Sequence, residues 1–310
     1  MALKLISGKN TRAKRLVVAG VEGIGKTTFA SKAPDPVFID LENGSDFMDV
    51  TRTETPTTWK MLLEQVDEIA ADPSICKTIV IDTGDKAEQL CIAHICEKYK
   101  KAGIEEFGYG KGYTYLKEEF QSLLDKLDKC IDAGINVIIT AHTALKKFEQ
   151  PDEMGAYDRY ELKMSKQVSP LVKEWTDILL FCNYKTYVNK GEGLDKNKVS
   201  GGKRVMYATH HPCWDAKNRH GLPDEMDFDF ANIAHLFKDT REAVRELAQR
   251  DGIDLADVCA LAAKQGHIEA NTSFDDMPDK IVEKWAPRYW PQIVEAISNN
   301  KTTKEKEENG

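Results

Sequence analysis

The sequence lacks several features that would each indicate a particular class of protein. No apolar run approaches the length of a membrane span, and the start, MALKLISGKNTRAKR, has neither the apolar stretch nor the cleavage site of a secretory signal. The seven cysteines show no CxxC pairing and are odd in number, which argues against a disulfide framework. These absences predict a cytoplasmic protein with reduced thiols and no membrane partner.

Positive charge is scarce relative to negative charge. The formal net charge is −8 and the sequence pI is about 5.5, so the charge of the whole chain does not indicate nucleic-acid binding. Any such site must be a local basic patch on an acidic body. With 310 residues, 41% of them hydrophobic, the chain has room for one large globular domain and a smaller one.

Apolar runs typical of strands alternate with segments of helical periodicity over the first three quarters of the chain. The runs cover 15–20, 37–40, 78–82, 136–140, 177–182 and 204–209. Because they are continuously apolar rather than alternating, they predict strands that are buried on both faces. The fold class expected is therefore α/β, with a mainly parallel sheet between helical layers.

The alternation ends near Phe237, and only helical patterns follow. The sequence predicts a nucleotide-binding core over 1–238 and a small all-helical C-terminal module over 239–298. The final stretch, NNKTTKEKEENG, has nothing to bury, so 299–310 is expected to be a disordered tail.

The segment RLVVAGVEGIGKTTFA places a GxxxxGK[ST] motif between a predicted strand and a predicted helix. Glycines in this motif let backbone N–H groups surround phosphates, the lysine neutralises the β- and γ-phosphates, and the threonine hydroxyl is a ligand for Mg²⁺. The motif predicts binding of ATP with Mg²⁺. The expected nucleotide-binding residues are Gly20, Gly23, Ile24, Gly25, Lys26, Thr27 and Thr28.

Two carboxylates follow other predicted strands. The run TIVID ends at Asp82, where a carboxylate at the carboxyl edge of the sheet can hold Mg²⁺ together with Thr27. The stretch VFIDLENGSD places Glu42 just beyond the strand that ends at Asp40. ATP hydrolysis needs a base beside the γ-phosphate, so Glu42 is the candidate base and Asp40 is expected to shape the turn. The alternative for Glu42 is an exposed loop residue.

The order of these segments resembles the RecA recombinase family, in which a strand ending FIDAE supplies the catalytic glutamate; here the chain reads FIDLE. That resemblance implies that His142, which follows Thr140 at the end of the strand in NVIITAHT, senses the γ-phosphate; a structural histidine is the alternative. The segment AKNRHGLP resembles the KNR-type motif of the bacterial RadA branch. By that resemblance Lys217 and Arg219 are catalytic fingers that act on the nucleotide of a neighbouring subunit, which implies a homo-oligomer. A surface turn is the alternative.

A narrower resemblance covers roughly 12–238. The P-loop, DLENG, IDT, FGYGKGY, NVIITAHT, EWTD and KNRHGLP occur in the order found in phage-encoded RecA-like ATPases of the Sak-type single-strand annealing group. This resemblance implies ATP-dependent binding, pairing or annealing of single-stranded DNA in phage recombination or replication, in the cytoplasm of a host cell.

Three basic segments are candidates for contact with single-stranded DNA, because cations that follow phosphates beside aromatic rings are typical of such sites. The first is rich in tyrosine, the second follows the proposed sensor, and the third precedes a predicted strand. Their cations are Lys100, Lys101 and Lys111, then Lys146 and Lys147, then Lys203 and Arg204. A solvated loop is the alternative for each segment.

Other functions stay open at this point. A helicase or helicase loader would share the core, and unwinding activity would distinguish it. A nucleotide or small-molecule kinase would need an arginine-rich lid, which the sequence does not show. A scaffold that binds ATP without hydrolysing it would not need Glu42. The helical module is expected to contact a single-strand-binding or replication protein.

Overall fold

The computed structural model describes residues 12–149, 155–190, 197–237, 240–278, 281–282, 285–286 and 289–308. Two compact units are present. The larger one is Arg12–Phe237, and the described residues of the second start at Thr240.

A ten-stranded sheet forms the centre of the larger unit, in the order β10-β8-β7-β1-β5-β4-β2-β3, with β6 paired to β5 and β9 paired to β7. The strands are β1 Arg15–Gly20, β2 Pro36–Asp40, β3 Thr51–Arg52, β4 Thr78–Asp82, β5 Asn136–Glu149, β6 Ala156–Leu162, β7 Ile178–Lys190, β8 Asn197–Tyr207, β9 Lys217–Asn218 and β10 Glu225–Asp227. Strands β1 to β5 and β7 pair in parallel, whereas β6, β8, β9 and β10 are antiparallel to their partners. The predicted α/β class with a mainly parallel sheet is confirmed.

Helices cover the sheet. In the larger unit they are α1 Lys26–Ala30, α2 Trp59–Ala71, α3 Gly84–Lys98, α4 Lys111–Asp132 and α5 Val168–Trp175, with short 3₁₀ turns at Ile104–Phe107, Phe230–Asn232 and Ala234–Leu236. The sheet has an apolar core on each face. Successive side chains of β1 pack into opposite cores, because side chains alternate across a strand. Val17 packs under α2 to α5, whereas Leu16 packs under α1 and the later 3₁₀ turns. Burial on both faces explains why these strands read as continuous apolar runs.

Strand β5 is longer than its apolar run. Its first residues pair with β1 and β4, and from Thr143 onward it extends beyond those strands and pairs antiparallel with β6. The two strands form a β-hairpin, here called the β5–β6 hairpin. Because β1 and β5 pair in parallel with Gly20 opposite His142, this hairpin begins beside the first residue of the P-loop.

The second unit is helical in its described part, with α6 Thr240–Asp251, α7 Leu255–Lys264 and α8 Trp290–Glu308. Its own core contains Val244, Val258, Trp285, Trp290 and Ile293. Helix α8 continues beyond residue 298 to Glu308, and the disordered tail expected over 299–310 stays a prediction. Lysine and glutamate, which dominate this stretch, are good helix formers, so a helix needs no buried face to propagate from an anchored first turn.

Among the described residues, no helix is both long and apolar enough to cross a membrane.

Candidate nucleotide-binding site

The P-loop joins the end of β1 to the start of α1. Gly23 and Gly25 have φ values of 74° and 102°, a region that glycine enters without steric cost. At Gly20, a Cβ atom would lie 2.6 Å from the carbonyl oxygen of Cys182 on β7. The glycines are therefore required by the backbone path and by close strand packing as well as by the motif.

The Lys26 side chain is folded back against its own loop. It is 6% exposed, and its Nζ donates to the carbonyl oxygens of Gly20, at 3.3 Å, and Val21, at 3.1 Å. Burial lowers the pKa of Lys26, and the carboxylates of Asp82 and Asp85 oppose that change. The ammonium group donates to two backbone carbonyl oxygens. When a nucleotide binds, phosphate oxygens would replace these carbonyl oxygens as its hydrogen-bond partners.

Asp82 joins the P-loop to the centre of the sheet. Its Oδ2 accepts a hydrogen bond of 2.7 Å from the Thr27 hydroxyl, and its Oδ1 accepts one from the hydroxyl of Thr140, the residue beside it on β5. Burial raises the pKa of Asp82, and the two hydroxyls oppose the rise. A hydroxyl and a carboxylate in contact provide the oxygen donors that Mg²⁺ prefers, so Thr27 and Asp82 fit this cation.

Asp40 holds the turn that carries Glu42. One carboxylate oxygen accepts from the backbone N–H groups of Glu42, at 3.0 Å, and Gly44, at 3.2 Å. The other accepts from the N–H and hydroxyl of Ser45, at 2.8 and 2.5 Å. Burial alone would raise the pKa of Asp40, but these four hydrogen bonds hold it below its ordinary value. Asp40 is 1% exposed, whereas Glu42 is exposed on the site side of the turn.

Asp85, on the first turn of α3, is a site residue that the sequence analysis did not identify. Its Oδ1 accepts from the backbone N–H of His142 and its Oδ2 lies 3.0 Å from His142 Nδ1. A carboxylate oxygen of Glu42, one of Asp85 and a ring nitrogen of His142 lie within 4.8 Å of one another. The three groups are metal-ligand types, but both Asp85 oxygens already contact His142, one at its backbone N–H and the other at Nδ1.

The proposed finger residues lie towards the other end of the sheet. Strand β9 pairs with the beginning of β7, where Lys217 is opposite Leu179, whereas Gly20 of the P-loop is opposite Cys182. Lys217 Nζ donates to the carbonyl oxygens of Lys173 and Glu174 at the end of α5. Arg219 forms a 3.0 Å ion pair with Asp177. At about 3.3 Å per residue, both lie at least ~10 Å along the sheet from the P-loop of their own chain.

The expected DNA-binding residues occupy three places. Lys146 and Lys147 are on the β5–β6 hairpin, where Lys146 forms a 3.2 Å ion pair with Glu161. Lys100, Lys101 and Lys111 are exposed around a loop before α4. Tyr99, Phe107 and Tyr115 of the same region pack against one another, with ring centroids 5.0 to 5.8 Å apart, while Tyr109 is fully exposed.

The third candidate DNA-binding segment contains two cations, Lys203 and Arg204, that make different contacts. Lys203 forms a 2.6 Å ion pair with Asp227, and the part of the segment at 191–196 lies outside the described residues. Arg204 instead contacts the P-loop, donating through Nη1 to the carbonyl oxygen of Ile24 at 3.2 Å. The hydroxyl of Tyr184 also reaches this loop, at 3.4 Å from the Gly23 carbonyl oxygen. Neither contact has a signal in the sequence, because both join residues about 160 to 180 positions apart.

The fold and the site together define a P-loop nucleotide-binding protein with an α/β core. Residues 12–220 match the family described as an AAA domain, and the chain therefore belongs to this family and is a P-loop ATPase. A comparison with curated proteins gives no match. Among solved structures, the chain is similar to a KaiC-like protein from the hyperthermophilic archaeon Pyrococcus horikoshii OT3, with 12% sequence identity over 63% of this chain and 79% of the other, and a TM-score of 0.35. The assignment depends on the family match and the site geometry, and not on this structural likeness.

Proposed function

We propose that the protein is a Mg²⁺-dependent ATPase that acts on single-stranded DNA as a homo-oligomer. The observation that carries the proposal is the path of β5. This strand passes His142, beside the P-loop residue Gly20, and continues directly into a hairpin with Lys146 and Lys147. The nucleotide site and the two lysines of the β5–β6 hairpin thus share one continuous strand.

The nucleotide chemistry uses the residues already described. Backbone N–H groups of the P-loop and the Lys26 ammonium bind the phosphates. Thr27 and Asp82 would hold Mg²⁺, which when bound neutralises charge on the phosphate oxygens. Glu42 takes a proton from water as the water oxygen bonds to the γ-phosphorus and the bond to the β-phosphate oxygen breaks, giving ADP and phosphate. His142 lies close to Glu42, and its role is to contact the γ-phosphate.

The DNA contact is assigned to the β5–β6 hairpin, with the loop before α4 as a second contact. Exposed lysines attract phosphates through counterion release, which needs no net positive charge on the whole chain. Tyr109 is fully exposed in that loop and offers a ring face to an unpaired base. The resemblance to Sak-type ATPases supports strand annealing or pairing in phage recombination or replication as the biological role.

The oligomer is supported by the position of Lys217 and Arg219. Because both lie away from the P-loop of their own chain, a role in hydrolysis requires a neighbouring subunit. There they would neutralise charge that develops on the transferred phosphoryl group. The second, helical unit is the candidate contact for a single-strand-binding or replication protein.

The direct test is binding of a fluorescein-labelled oligo(dT) strand, followed by anisotropy at low salt with and without ATP and Mg²⁺. The expected result is saturable binding that falls steeply with added salt, with a matched duplex bound more weakly. An absence of binding to single-stranded DNA under these conditions would remove the DNA half of the proposal and leave the ATPase.

A further inference from the structure

Asp85 contacts His142 at two points at once. The Asp85 side chain is 5% exposed, and its two oxygens face the backbone N–H and the ring Nδ1 of the same histidine, both at 3.0 Å. A residue that only caps α3 would not need to engage both the main chain and the ring of a residue on β5. The contact fixes the position of His142 and the orientation of its ring.

The chemistry of this contact also fixes the tautomer of the histidine. Burial alone would raise the pKa of Asp85, but the hydrogen bonds from His142 hold it below its ordinary value, so the carboxyl group is ionised near neutral pH. An ionised carboxylate can only accept hydrogen bonds. Nδ1 therefore carries the proton that faces Asp85, and Nε2 is the nitrogen left for other partners.

His142 is placed where its tautomer matters. It is opposite Gly20 of the P-loop in the β1–β5 pairing, and one of its ring nitrogens lies within 4.8 Å of a Glu42 carboxylate oxygen. A nitrogen that accepts hydrogen bonds and one that donates them interact in opposite ways with water, with a carboxylate and with a phosphate. The tautomer of His142 thus decides whether its free ring nitrogen donates or accepts a hydrogen bond, without changing the shape of the site.

We propose that Asp85 is a positioning residue for ATP hydrolysis, which holds His142 in the Nδ1–H tautomer and leaves Nε2 as the ring nitrogen available to the reacting groups. This inference rests on the proposed function in one respect, namely that Glu42 and His142 act in hydrolysis. Asp85 is not assigned a contact with the nucleotide phosphates. Its effect is on turnover and not on nucleotide affinity.

The Asp85→Asn variant inverts the tautomer with little change in shape. The backbone N–H of His142 can only donate, so the amide oxygen must face it and the amide NH₂ must face Nδ1. Nδ1 then has to accept, and the ring proton moves to Nε2. A carboxylate-to-amide change of this kind lowers kcat by about 10⁴ in serine proteases.

Glu88 provides a matched control. It is one turn further along α3, is also 5% exposed, and accepts hydrogen bonds from the backbone N–H of Ser165 instead of from His142. The Glu88→Gln variant removes a carboxylate from the same helix at the same depth. It leaves the Asp85–His142 contact in place.

The experiment measures ATP turnover, ATP affinity and the ¹⁵N chemical shifts of the histidine rings in the full-length protein, with His142→Gln used to assign the His142 signals. The expected wild-type state is Nδ1–H, changing to Nε2–H in Asp85→Asn. For that variant kcat should fall by at least about tenfold with the Kd for ATP within about threefold, while Glu88→Gln keeps wild-type turnover.

Three results would overturn the proposal: an Nε2–H tautomer in the wild type, equal turnover in Asp85→Asn and Glu88→Gln, or a loss of ATP affinity that accounts for the whole effect of Asp85→Asn. If Asp85→Asn does not fold, the tautomer measured in the wild-type protein tests the proposal by itself. Failure of the underlying assignment has a different signature, because Glu42→Gln would then hydrolyse ATP normally whatever the tautomer of His142.

Discussion

Asp40 and Glu42 are two residues apart and have opposite environments. Asp40 is buried and its oxygens accept four hydrogen bonds from the turn that follows β2. Glu42 is held by that turn at the edge of the site, close to His142 and Asp85. The acidic pair in FIDLE therefore consists of one structural carboxylate and one that is available for chemistry, which is the division expected of a base that must be held in place.

The first prediction concerns Asp40→Asn. The asparagine NH₂ cannot accept hydrogen bonds from Ser45, so the variant should lose about 1–3 kcal/mol of stability at neutral pH. Because the folded-state pKa of Asp40 is lowered, its contribution is present above its unfolded-state pKa and is lost as pH falls through the folded value. Urea denaturation of wild type and variant at neutral pH, and at decreasing acidic pH, measures the difference.

Asp72→Asn is the control, since Asp72 accepts hydrogen bonds from Ser74 in the same way but on the surface. Its effect on stability should be much smaller. A stability difference for Asp40→Asn that did not shrink on acidification would show that the charge of Asp40 is not what holds the turn.

At the scale of secondary-structure elements, the sequence predicted the strands that consist of a run of consecutive apolar residues. Strands β1, β2 and β4 end at a glycine or aspartate after an apolar run, and their predicted limits agree with the structure to within a residue. Strand β5 was predicted to end at Thr140 but continues to Glu149, because its second half alternates in exposure and pairs with β6. Half-buried strands of this kind lack a continuous apolar run, so β6 was not predicted at all.

The site shows the same limit. The P-loop and Asp82 can be read from the sequence because their motifs are contiguous and the chemistry needs fixed residue types. Asp85 and Arg204 cannot, because each acts through a partner on another element. Arg204 was assigned to DNA with its basic neighbours, whereas its position is set by the pairing of β7 with β8. Composition of a segment does not show which side of a strand a cation occupies.

The second prediction concerns the β5–β6 hairpin. Replacing Lys146 and Lys147 together by glutamine should weaken binding of oligo(dT) and flatten its log–log dependence on salt by roughly 0.7 per lost phosphate contact. A matched variant replaces Lys60 and Lys129 on the outer sides of α2 and α4, which removes the same charge elsewhere. Fluorescence anisotropy over a salt series measures both. Equal slopes in the two double variants would exclude the hairpin from the DNA contact.

The third prediction is at the scale of the whole molecule and concerns its two units, each of which has its own apolar core. A chain truncated after Asp239 should fold and bind ATP, because the P-loop, Asp82 and Glu42 are all in the first unit. It should lose a partner contact or a higher assembly. Circular dichroism, nucleotide binding and light scattering test this, and failure of the truncated chain to fold would show that the helices belong to the core.

The fourth prediction concerns the proposed fingers. Arg219→Ala should fold and bind ATP but hydrolyse it more slowly, since arginine fingers contribute on the order of 10³ or more in rate. If the finger acts on a neighbour, mixing Arg219→Ala with Lys26→Ala should partly restore turnover, because some interfaces then pair an intact finger with an intact P-loop. The pair with Asp177 must open for this contact to form. A mixture that co-assembles and stays inactive would show that this segment is only a surface turn.

The most direct test of the central claim is the rate of ATP turnover with and without single-stranded DNA, in the wild type, Lys26→Ala and Glu42→Gln. We expect turnover in the wild type that DNA stimulates, no nucleotide binding in Lys26→Ala, and retained ATP binding without hydrolysis in Glu42→Gln, because only the base is removed. Wild-type turnover that is indifferent to DNA would contradict a DNA-coupled ATPase. Equal loss of nucleotide affinity in both variants would contradict the role of Glu42 as the base.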